Sequence, residues 1–275
     1  MTIPRVSALH VYPVKSLRGT STGKAVVEPW GLAGDRRWML VDAGTHKAVT
    51  QREQPSLALV AAVRDGDSGL RLSAPGHGPL RVPVPEPAAL ETVRLFADKV
   101  EVLPAGEEAD RWFSGYLGVP VRLVHLDDPA FRRPVDPRYA QQGETVSLAD
   151  GYPLLVTTTA SLDALNALIA AGDRAEEGPL PMNRFRPNVV VDGTAPWAED
   201  GWRRVRIGEI SFRVAKPCGR CVVTTTDQAT GARGKEPLRT LGRHRNVDTK
   251  LLFGQNLIPE NRGTLSVGDP LSVVE

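Results

Sequence analysis

The sequence has few cysteines, almost no net charge and no long apolar run. Two cysteines in 275 residues are too few for the disulfide framework of a small secreted domain. No segment reaches the ~18–20 consecutive apolar residues that a helix needs to cross a bilayer. The 34 basic residues are nearly balanced by 32 acidic ones, so the net charge of +2 gives no indication of nucleic-acid binding.

The amino-terminal segment also lacks the continuous apolar region of a secretory signal. Polar residues and prolines interrupt it at Pro4, Arg5, His10, Pro13 and Lys15. These absences predict a cytoplasmic enzyme or binding protein that contacts neither membrane nor nucleic acid. The chain is long enough to bury the core of one large domain or of two smaller ones.

The sequence is rich in turn residues, with 26 glycines and 23 prolines between short β-prone runs. Prolines are dense over 75–87, which predicts no regular structure there beyond a short edge strand. Polar turn residues between β-prone segments predict hairpins. The predicted pairs are 37–42 with 46–51, 57–63 with 69–74, and two short strands within 93–104.

Helices are few. Helical spacing of apolar residues predicts one helix over 107–118 and another over 161–172, the second capped by Thr159 or Ser161. The polar stretch 126–142 predicts a linker or surface loop. Further strands are predicted over 188–193 and 221–226, and hairpins over 205–214 and 264–274. Together these features predict a β-rich α+β fold, barrel-like, with a domain boundary between 118 and 145.

Both cysteines lie in KPCGRCVVTTTD, residues 216–227, and several functions are compatible with their CxxC spacing. A structural zinc site normally needs four ligands, and the five histidines show no HxH or HExxH spacing that would supply the others. A thioredoxin-like pair needs a helix after the first thiol. The β-branched residues after Cys221 favour a strand instead, in which sulfurs three residues apart point to opposite faces.

Two other hypotheses for the cysteines remain open at this point. Both could be small core residues, as intracellular cysteines often are. Alternatively, the flanking cations Lys216 and Arg220 could stabilise a single thiolate, which would bind a metal whose remaining ligands come from elsewhere.

Eight segments, in order along nearly the whole chain, resemble the MOSC (molybdenum cofactor sulfurase C-terminal) family. The resemblance is to members in which an N-terminal MOSC β-barrel region precedes the MOSC domain, a group that includes amidoxime-reducing components and bacterial reductases of N-hydroxylated bases. The segments are YPVKSLRG (12–19), GLAGDRRWMLVD (31–42), ASLDALN (160–166), NRFRPNVVVDG (183–193), PCGRCVVTTTDQATG (217–231), KEPLRTL (235–241), LLFGQN (251–256) and GTLSVGDP (263–270).

The resemblance implies a MOSC β-barrel core, with an N-terminal region at 1–121 and a MOSC domain at 122–275. It also implies a molybdenum cofactor, Mo-molybdopterin, whose metal is held by the pterin dithiolene and one protein cysteine. That ligand and catalytic residue is Cys221. Cys218 matches a nearby position that is not a ligand, and pyridoxal phosphate binding is not expected.

The matched segments suit a large anionic cofactor. Lys15, Ser16 and Arg36 offer two cations and a hydroxyl to a phosphate. Arg186 and Asn188 are expected to clamp the pterin edge, since an amide both donates and accepts hydrogen bonds. Pro187 should hold Arg186 in an extended backbone.

Three further groups and one supporting cation complete the predicted site. The start of the second helix could direct backbone N–H groups and hydroxyls at an anion, through Thr158, Thr159 and Ser161. Arg220 is expected to support the Cys221 thiolate, and Asp35 to orient Arg36 or the arginine that follows it.

The resemblance implies a two-electron reductase that removes the N-bound oxygen of amidoximes, hydroxylamines or N-hydroxylated bases. The sequence shows no four-cysteine ferredoxin segment, so the electrons are expected from a separate ferredoxin, flavoprotein reductase or cytochrome-type protein. One alternative is a carrier of persulfide sulfur or of the cofactor. Another is a binder of nucleic acid or metabolites through a basic surface, without redox chemistry.

Overall fold

The computed structural model describes residues 3–66 and 68–275. Its first half contains twelve strands. They are β1 (Arg5–Val11), β2 (Thr20–Thr22), β3 (Lys24–Glu28), β4 (Gly31–Leu32), β5 (Trp38–Asp42), β6 (Ala48–Val49), β7 (Ala61–Arg64), β8 (Gly69–Ala74), β9 (His77–Pro83), β10 (Glu91–Leu95), β11 (Asp98–Pro104) and β12 (Val121–His125).

The second half contains eight strands among the described residues, and four α-helices punctuate the chain. The strands are β13 (Leu154–Thr158), β14 (Val189–Asp192), β15 (Arg204–Ile207), β16 (Ile210–Gly219), β17 (Asn246–Val247), β18 (Lys250–Pro259), β19 (Gly263–Ser266) and β20 (Leu271–Val273). The helices are α1 (Glu107–Leu117), α2 (Pro129–Arg132), α3 (Thr159–Ala170) and α4 (Leu238–His244). The predicted β-rich α+β class is confirmed.

The largest sheet joins the two halves of the chain. Its order is β2-β1-β14-β13-β18-β16-β15-β20, with β17 paired to β18. Strand β1 runs antiparallel to β14, and β13 runs parallel to β14. A core cluster beneath the sheet combines apolar residues of both halves, such as Leu9, Val27, Val191, Phe212 and Leu265. The first strands of the chain therefore depend on the last ones for their burial.

The remaining sheets belong mainly to the first half. They have the orders β10-β11-β12-β5-β6 and β7-β8-β9, and a third, β19-β3-β4, again takes a strand from the end of the chain. Helix α1 ends at Gly118, which adopts the left-handed conformation typical of a helix C-cap. Of the helices formed by the described residues, none combines the length and apolar character that a membrane crossing requires.

The hairpins predicted from local pattern are largely confirmed. Strands β5 and β6 pair, as do β7 and β8, β10 and β11, and β15 and β16. Residues 57–59 were expected in a strand but belong to a short 3-10 helix, Pro55–Leu59. The stretch 126–142 is mostly irregular, apart from α2.

The edge strand that was expected in the proline-rich stretch is present as the seven-residue β9, which pairs with β8. Three other local predictions are wrong. The expected strand over 221–226 is a 3-10 turn, Val222–Thr225. The predicted hairpin over 264–274 is also absent, because β19 pairs with β3 and β20 with β15. Helix α3 is capped by the Thr158 hydroxyl, which accepts a hydrogen bond from Ser161 N, and not by Thr159 or Ser161.

Candidate active site

Loops from both halves of the chain surround a cleft of about 630 Å³. The first half contributes the turn after β1, the segment before β5 and the loop after β6. The second half contributes the segments before β13 and β14 and the facing ends of β16 and β18. Seven of the ten predicted site residues line it: Lys15, Ser16, Arg36, Arg186, Asn188, Arg220 and Cys221.

The cleft is strongly cationic. Seven lining residues carry a positive charge, and only Asp150 carries a negative one. The cations are Lys15, Arg36, Arg52, Arg186, Lys216, Arg220 and Lys250. A concave surface lined by one sign of charge concentrates ligands of the opposite sign, so this cleft is suited to a polyanion.

Arg186 is the clearest indication that a ligand completes the cleft. The residue is buried, and Nη1 donates to Leu17 O at 2.7 Å, but Nη2 has no hydrogen-bond partner. Among the described residues no carboxylate pairs with it. Burial, reinforced by the neighbouring Arg36 charge, lowers the pKa of Arg186 to about 10. A buried guanidinium without a counter-charge is costly, and a bound anion would offset that cost.

Arg36 is held in place by the protein. Its Nη1 contacts Asp35 Oδ2 at 2.5 Å and Asn188 Oδ1 at 3.1 Å, and Nη2 donates to Arg186 O at 3.3 Å. The guanidinium carbons of Arg36 and Arg186 lie 4.2 and 4.3 Å from the centroid of the buried Tyr12 ring. The expected contact between Asp35 and Arg36 is therefore present.

Asn188 forms several hydrogen bonds within the protein itself. Its Oδ1 accepts from both Arg36 and Leu155 N, and its Nδ2 donates to His10 O at 3.2 Å. These bonds use most of its amide, so within the protein Asn188 positions Arg36 and links two backbone segments.

Lys15 forms an ion pair with Asp150 at the edge of the cleft. Its Nζ lies 2.5 Å from Asp150 Oδ1 and donates to Leu148 O at 3.0 Å. Burial lowers the pKa of Lys15 to about 8, although Asp150 opposes that shift. Desolvation raises the pKa of Asp150, but Lys15 and Arg52 together hold it below its ordinary value. The Ser16 hydroxyl makes no hydrogen bond within the described chain.

The two cysteines are free thiols in different surroundings. Arg52 Nη2 lies 3.4 Å from Cys221 Sγ, whereas Arg220 Nη1 lies 2.9 Å from Cys218 Sγ. The expectation that Arg220 supports Cys221 is therefore wrong, because its guanidinium turns to Cys218 and to Phe185 O. Within residues 3–66 and 68–275, no group of three or more His, Cys, Asp or Glu side chains could hold a metal by itself.

The three hydroxyl residues at the start of α3 do not line the cleft. Thr158 Oγ1 and Ser161 Oγ contact the buried Glu199 Oε2 at 3.2 and 2.8 Å. Thr159 Oγ1 donates to Asp192 Oδ1 at 2.8 Å. These hydroxyls therefore bind carboxylates of the protein itself, Glu199 and Asp192. They were predicted in the cofactor site, but the structure places them outside the cleft.

Four residues of the cleft adopt positive φ although none is glycine. They are Ser16 (φ 68°), Arg36 (φ 47°), Arg186 (φ 53°) and Thr249 (φ 66°). The prediction that Pro187 keeps Arg186 extended is wrong for this reason. Such conformations cost on the order of 1–3 kcal/mol each and concentrate at functional sites, where they direct side chains inward.

Lys216, which was expected beside the thiols, lines the cleft, but sequence reasoning missed three other residues that complete it. Arg52 and Asp150 lie in polar loops and carry no motif, and Lys250 belongs to a chain with 34 basic residues. These residues differ from ordinary surface charges only because the fold brings β16 close to β18 and the loop after β6 close to Cys221. No pattern within a single segment could have identified them.

The residues present fit a molybdenum pterin cofactor. Its phosphate requires cations and hydrogen-bond donors, and Lys15, Ser16 and Arg186 supply them. Nη2 of Arg186 has no partner within the protein, so it can donate to such a group. Its metal requires one thiolate, and Cys221 lies in the same cleft beside Arg52.

Comparison with known proteins gives matches over most of the chain. The family model of the MOSC N-terminal beta barrel domain matches residues 3–120, and that of the MOSC domain matches 143–272. The chain is 34% identical to mitochondrial amidoxime-reducing component 1 of Homo sapiens over 97% of its length and 82% of that protein. It is 33% identical to mitochondrial amidoxime reducing component 2 of Rattus norvegicus over 97% and 82%.

Among solved structures, the YuaD protein of Bacillus subtilis aligns with 98% of this chain and 94% of its own, at 12% identity and a TM-score of 0.44. The family models and the sequence relatives, which match 97% of this chain, carry the assignment. This chain belongs to the family of MOSC domain proteins that carry an N-terminal MOSC β-barrel domain.

Proposed function

We propose that the protein is a molybdenum-cofactor-dependent reductase of N-hydroxylated compounds. The observation that carries the proposal is the cationic cleft in which Arg186 is buried without a counter-charge and Cys221 is the thiol beside Arg52. The relatives named amidoxime-reducing components support the same substrate class.

Five residues of the cleft have defined tasks in this proposal. Cys221 would bind the metal, and Lys15, Ser16, Arg36 and Arg186 would bind the phosphate and other anionic parts of the cofactor. When bound, the cofactor would supply the two-electron redox chemistry.

The remaining contacts prepare these groups before the ligand arrives. Asp35 and Asn188 fix the guanidinium of Arg36, so that it loses little further freedom on binding. Arg52 places a positive charge against the sulfur of Cys221, the proposed metal ligand. Asp150 balances Lys15 and Arg52 and limits the repulsion among the seven cations.

The overall reaction consumes two electrons and two protons. The N–O bond of the substrate breaks, the oxygen leaves as water, and an amidine, amine or unmodified base remains. The electrons would come from a separate ferredoxin, flavoprotein reductase or cytochrome-type protein. The cytoplasmic location and the boundary between residues 118 and 145 stay predictions.

The experiment that tests this function combines composition with activity. Protein purified from molybdate-replete cells should contain molybdenum and phosphorus in equal amounts and should reduce benzamidoxime with reduced methyl viologen. Cys221→Ser should lower molybdenum content and turnover by about a hundredfold or more, because the metal loses its protein ligand. The matched variant Cys218→Ser should retain most of both.

Three outcomes would contradict the proposal. Protein without molybdenum after such expression would contradict the cofactor, and equal behaviour of the two variants would contradict the choice of ligand. Cyanide-labile sulfur on Cys221, without reductase activity, would assign the protein to sulfur transfer instead.

A further inference from the structure

The hairpin of β10 and β11 ends in an unusual turn beside the cleft. Leu95 pairs with Asp98, which leaves Phe96 and Ala97 as the two turn residues. Phe96 has φ 56°, at the turn position where a positive φ ordinarily selects glycine. Its side chain is 52% exposed. An exposed aromatic residue in a strained turn conformation stabilises the fold poorly, so a functional reason for it is expected.

Phe96 connects the protein surface with the candidate metal ligand. The guanidinium carbon of Arg52 lies 4.9 Å from the centroid of the Phe96 ring, and Lys15 Nζ lies 5.3 Å from it. Arg52 Nη2 in turn lies 3.4 Å from Cys221 Sγ. A continuous path of contacts therefore leads from a solvent-exposed ring through one side chain to the sulfur.

A second, basic cavity shares Arg52 with the cleft. It measures about 450 Å³, and Lys47, Arg52, Glu53, Arg94 and Phe96 are among the residues that line it. Lys47 and Arg94 are exposed and form no ion pair with any described residue. They are brought together by the backbone bridge between them. We name Lys47, Arg94 and Phe96 the hairpin face.

The charges around the hairpin face are predominantly positive and in part unfavourable for stability. Arg94 is paired across the hairpin with Lys99, and like charges in that position are destabilising. The nearest carboxylates are engaged elsewhere. Glu53 accepts hydrogen bonds from Thr50, and Asp98 pairs with Arg133 at 2.9 Å.

We propose that an acidic one-electron carrier protein docks on the hairpin face and delivers electrons to the cleft through Phe96 and Arg52. This inference rests on the proposed function. Redox encounters use small interfaces in which complementary charge sets the association rate, and an exposed ring amid unpaired cations meets both requirements. Two reduced carriers are each oxidised by one electron per turnover, and two protons leave with the substrate oxygen as water.

The test compares two electron donors for the same enzyme. Benzamidoxime reduction by the cofactor-loaded protein is measured with reduced methyl viologen and with a reduced, acidic plant-type [2Fe–2S] ferredoxin. In Lys47→Glu/Arg94→Glu, the rate with limiting ferredoxin should fall about tenfold or more at low salt, because electrostatic attraction becomes repulsion. The rate with methyl viologen should stay within about twofold of wild type, since neither residue lines the cofactor cleft.

The matched control reverses two charges elsewhere. Lys24 and Arg206 are exposed and line neither cavity, so Lys24→Glu/Arg206→Glu has the same net charge but an intact hairpin face. It should retain ferredoxin-dependent turnover within about threefold. The difference in ferredoxin-dependent rate between the two variants should shrink as the salt concentration is raised from about 20 to about 300 mM, because salt screens the charges.

Binding gives a second readout that is independent of turnover. Oxidised ferredoxin, titrated by calorimetry, should bind wild type and the control pair about tenfold or more tightly than the hairpin-face pair at low salt. Equal affinities, or a wild type that accepts electrons from methyl viologen but not from ferredoxin, would overturn the proposal. A salt-sensitive dimer that the hairpin-face variant dissolves would assign the face to a second copy instead. If wild type shows no turnover with methyl viologen, the reductase function is contradicted. The ferredoxin titration would still test the docking surface, because it does not depend on turnover.

Discussion

The cleft around Arg186 and the start of helix α3 both contain groups suited to binding an anion, but they differ in the source of the negative charge. At α3, Glu199 provides a carboxylate, whose Oε2 contacts the hydroxyls of Thr158 and Ser161. In the cleft, Arg186 is also buried, and no carboxylate of the described chain pairs with it. The first arrangement supplies its own negative charge, although Glu199 Oε1 has no hydrogen-bond partner, whereas the second supplies none.

This difference separates structural from functional buried polarity. Burial penalises a charged group in both places: it raises the pKa of Glu199 and lowers the pKa of Arg186 to about 10. At α3 the protein offsets part of the penalty with its own hydroxyls, and the result connects α3 to the segment after β14. In the cleft the penalty remains until an anion binds, so it reduces stability and favours ligand binding.

The largest expected effect comes from removing the unpaired cation of the cleft. Arg186→Met should lower the phosphorus and molybdenum content of the purified protein about tenfold or more, because a charge-assisted contact to the cofactor is lost. In the absence of cofactor, this variant should lose at most about 1 kcal/mol in its free energy of unfolding relative to wild type, because the substitution removes a buried charge that has no partner.

A neighbouring arginine provides the control for that experiment. Arg184 is also buried, but its Nη2 pairs with Asp227 at 3.0 Å and its Nη1 donates to Thr225 O. Arg184→Met should therefore destabilise the cofactor-free protein by about 3 kcal/mol in denaturant unfolding. If both variants lose equal stability, Arg186 is a structural residue and the contrast fails.

The next effect concerns the carboxylate at α3. Glu199→Ala should lower the free energy of unfolding by about 2 kcal/mol, because two buried hydroxyls lose their acceptor and a cavity remains. The ratio of molybdenum to folded protein should not change, since Glu199 does not line the cleft. Glu176→Ala, at an exposed position, should leave both quantities unaltered. A loss of cofactor in Glu199→Ala alone would place α3 in the cofactor site after all.

The smallest effect is a pH dependence that originates in Lys15. Its folded-state pKa of about 8 lies below the ordinary value of 10.5, so between these values the unfolded chain holds more protons. The stability of the cofactor-free wild type should therefore rise relative to Lys15→Met from pH 8 to 10.5, by an amount on the order of 2 kcal/mol, and stay constant below pH 8. A difference that is flat or falls over this range, measured by urea unfolding, would contradict the burial of a charged lysine.

The local parts of the fold could be predicted from the sequence, but its long-range pairings could not. Polar turns between β-prone runs indicate hairpins, and the left-handed Gly118 marks the end of α1. The pairing of β1 with β14 and of β19 with β3 depends on residues far apart in the chain, for which a local pattern holds no information. The prolines of 75–87 are compatible with β9 because that strand lies at a sheet edge, as expected, where a missing N–H is tolerated.

The site shows the same division between local and distant information. The resemblance to a family indicated Lys15, Arg36 and Cys221, since each lies in a recognisable segment. The contact of Arg52 with Cys221 joins residues 169 positions apart, and no segment contains both. The β-branched run after Cys221 predicts a strand, yet it forms a 3-10 turn in which Thr224 and Thr225 hydroxyls bond to the carbonyls of Cys221 and Val222.

Strand β1 also has a consequence for biosynthesis. Only β2 follows it closely in the chain, whereas its other partners, β14 and the segment around Asp269, are synthesised much later. Until then one edge of β1 has unpaired backbone groups, a form in which polypeptides aggregate readily. The central sheet therefore closes only after most of the chain has been synthesised, and chaperones that shield the nascent amino-terminal segment should increase the yield of folded protein.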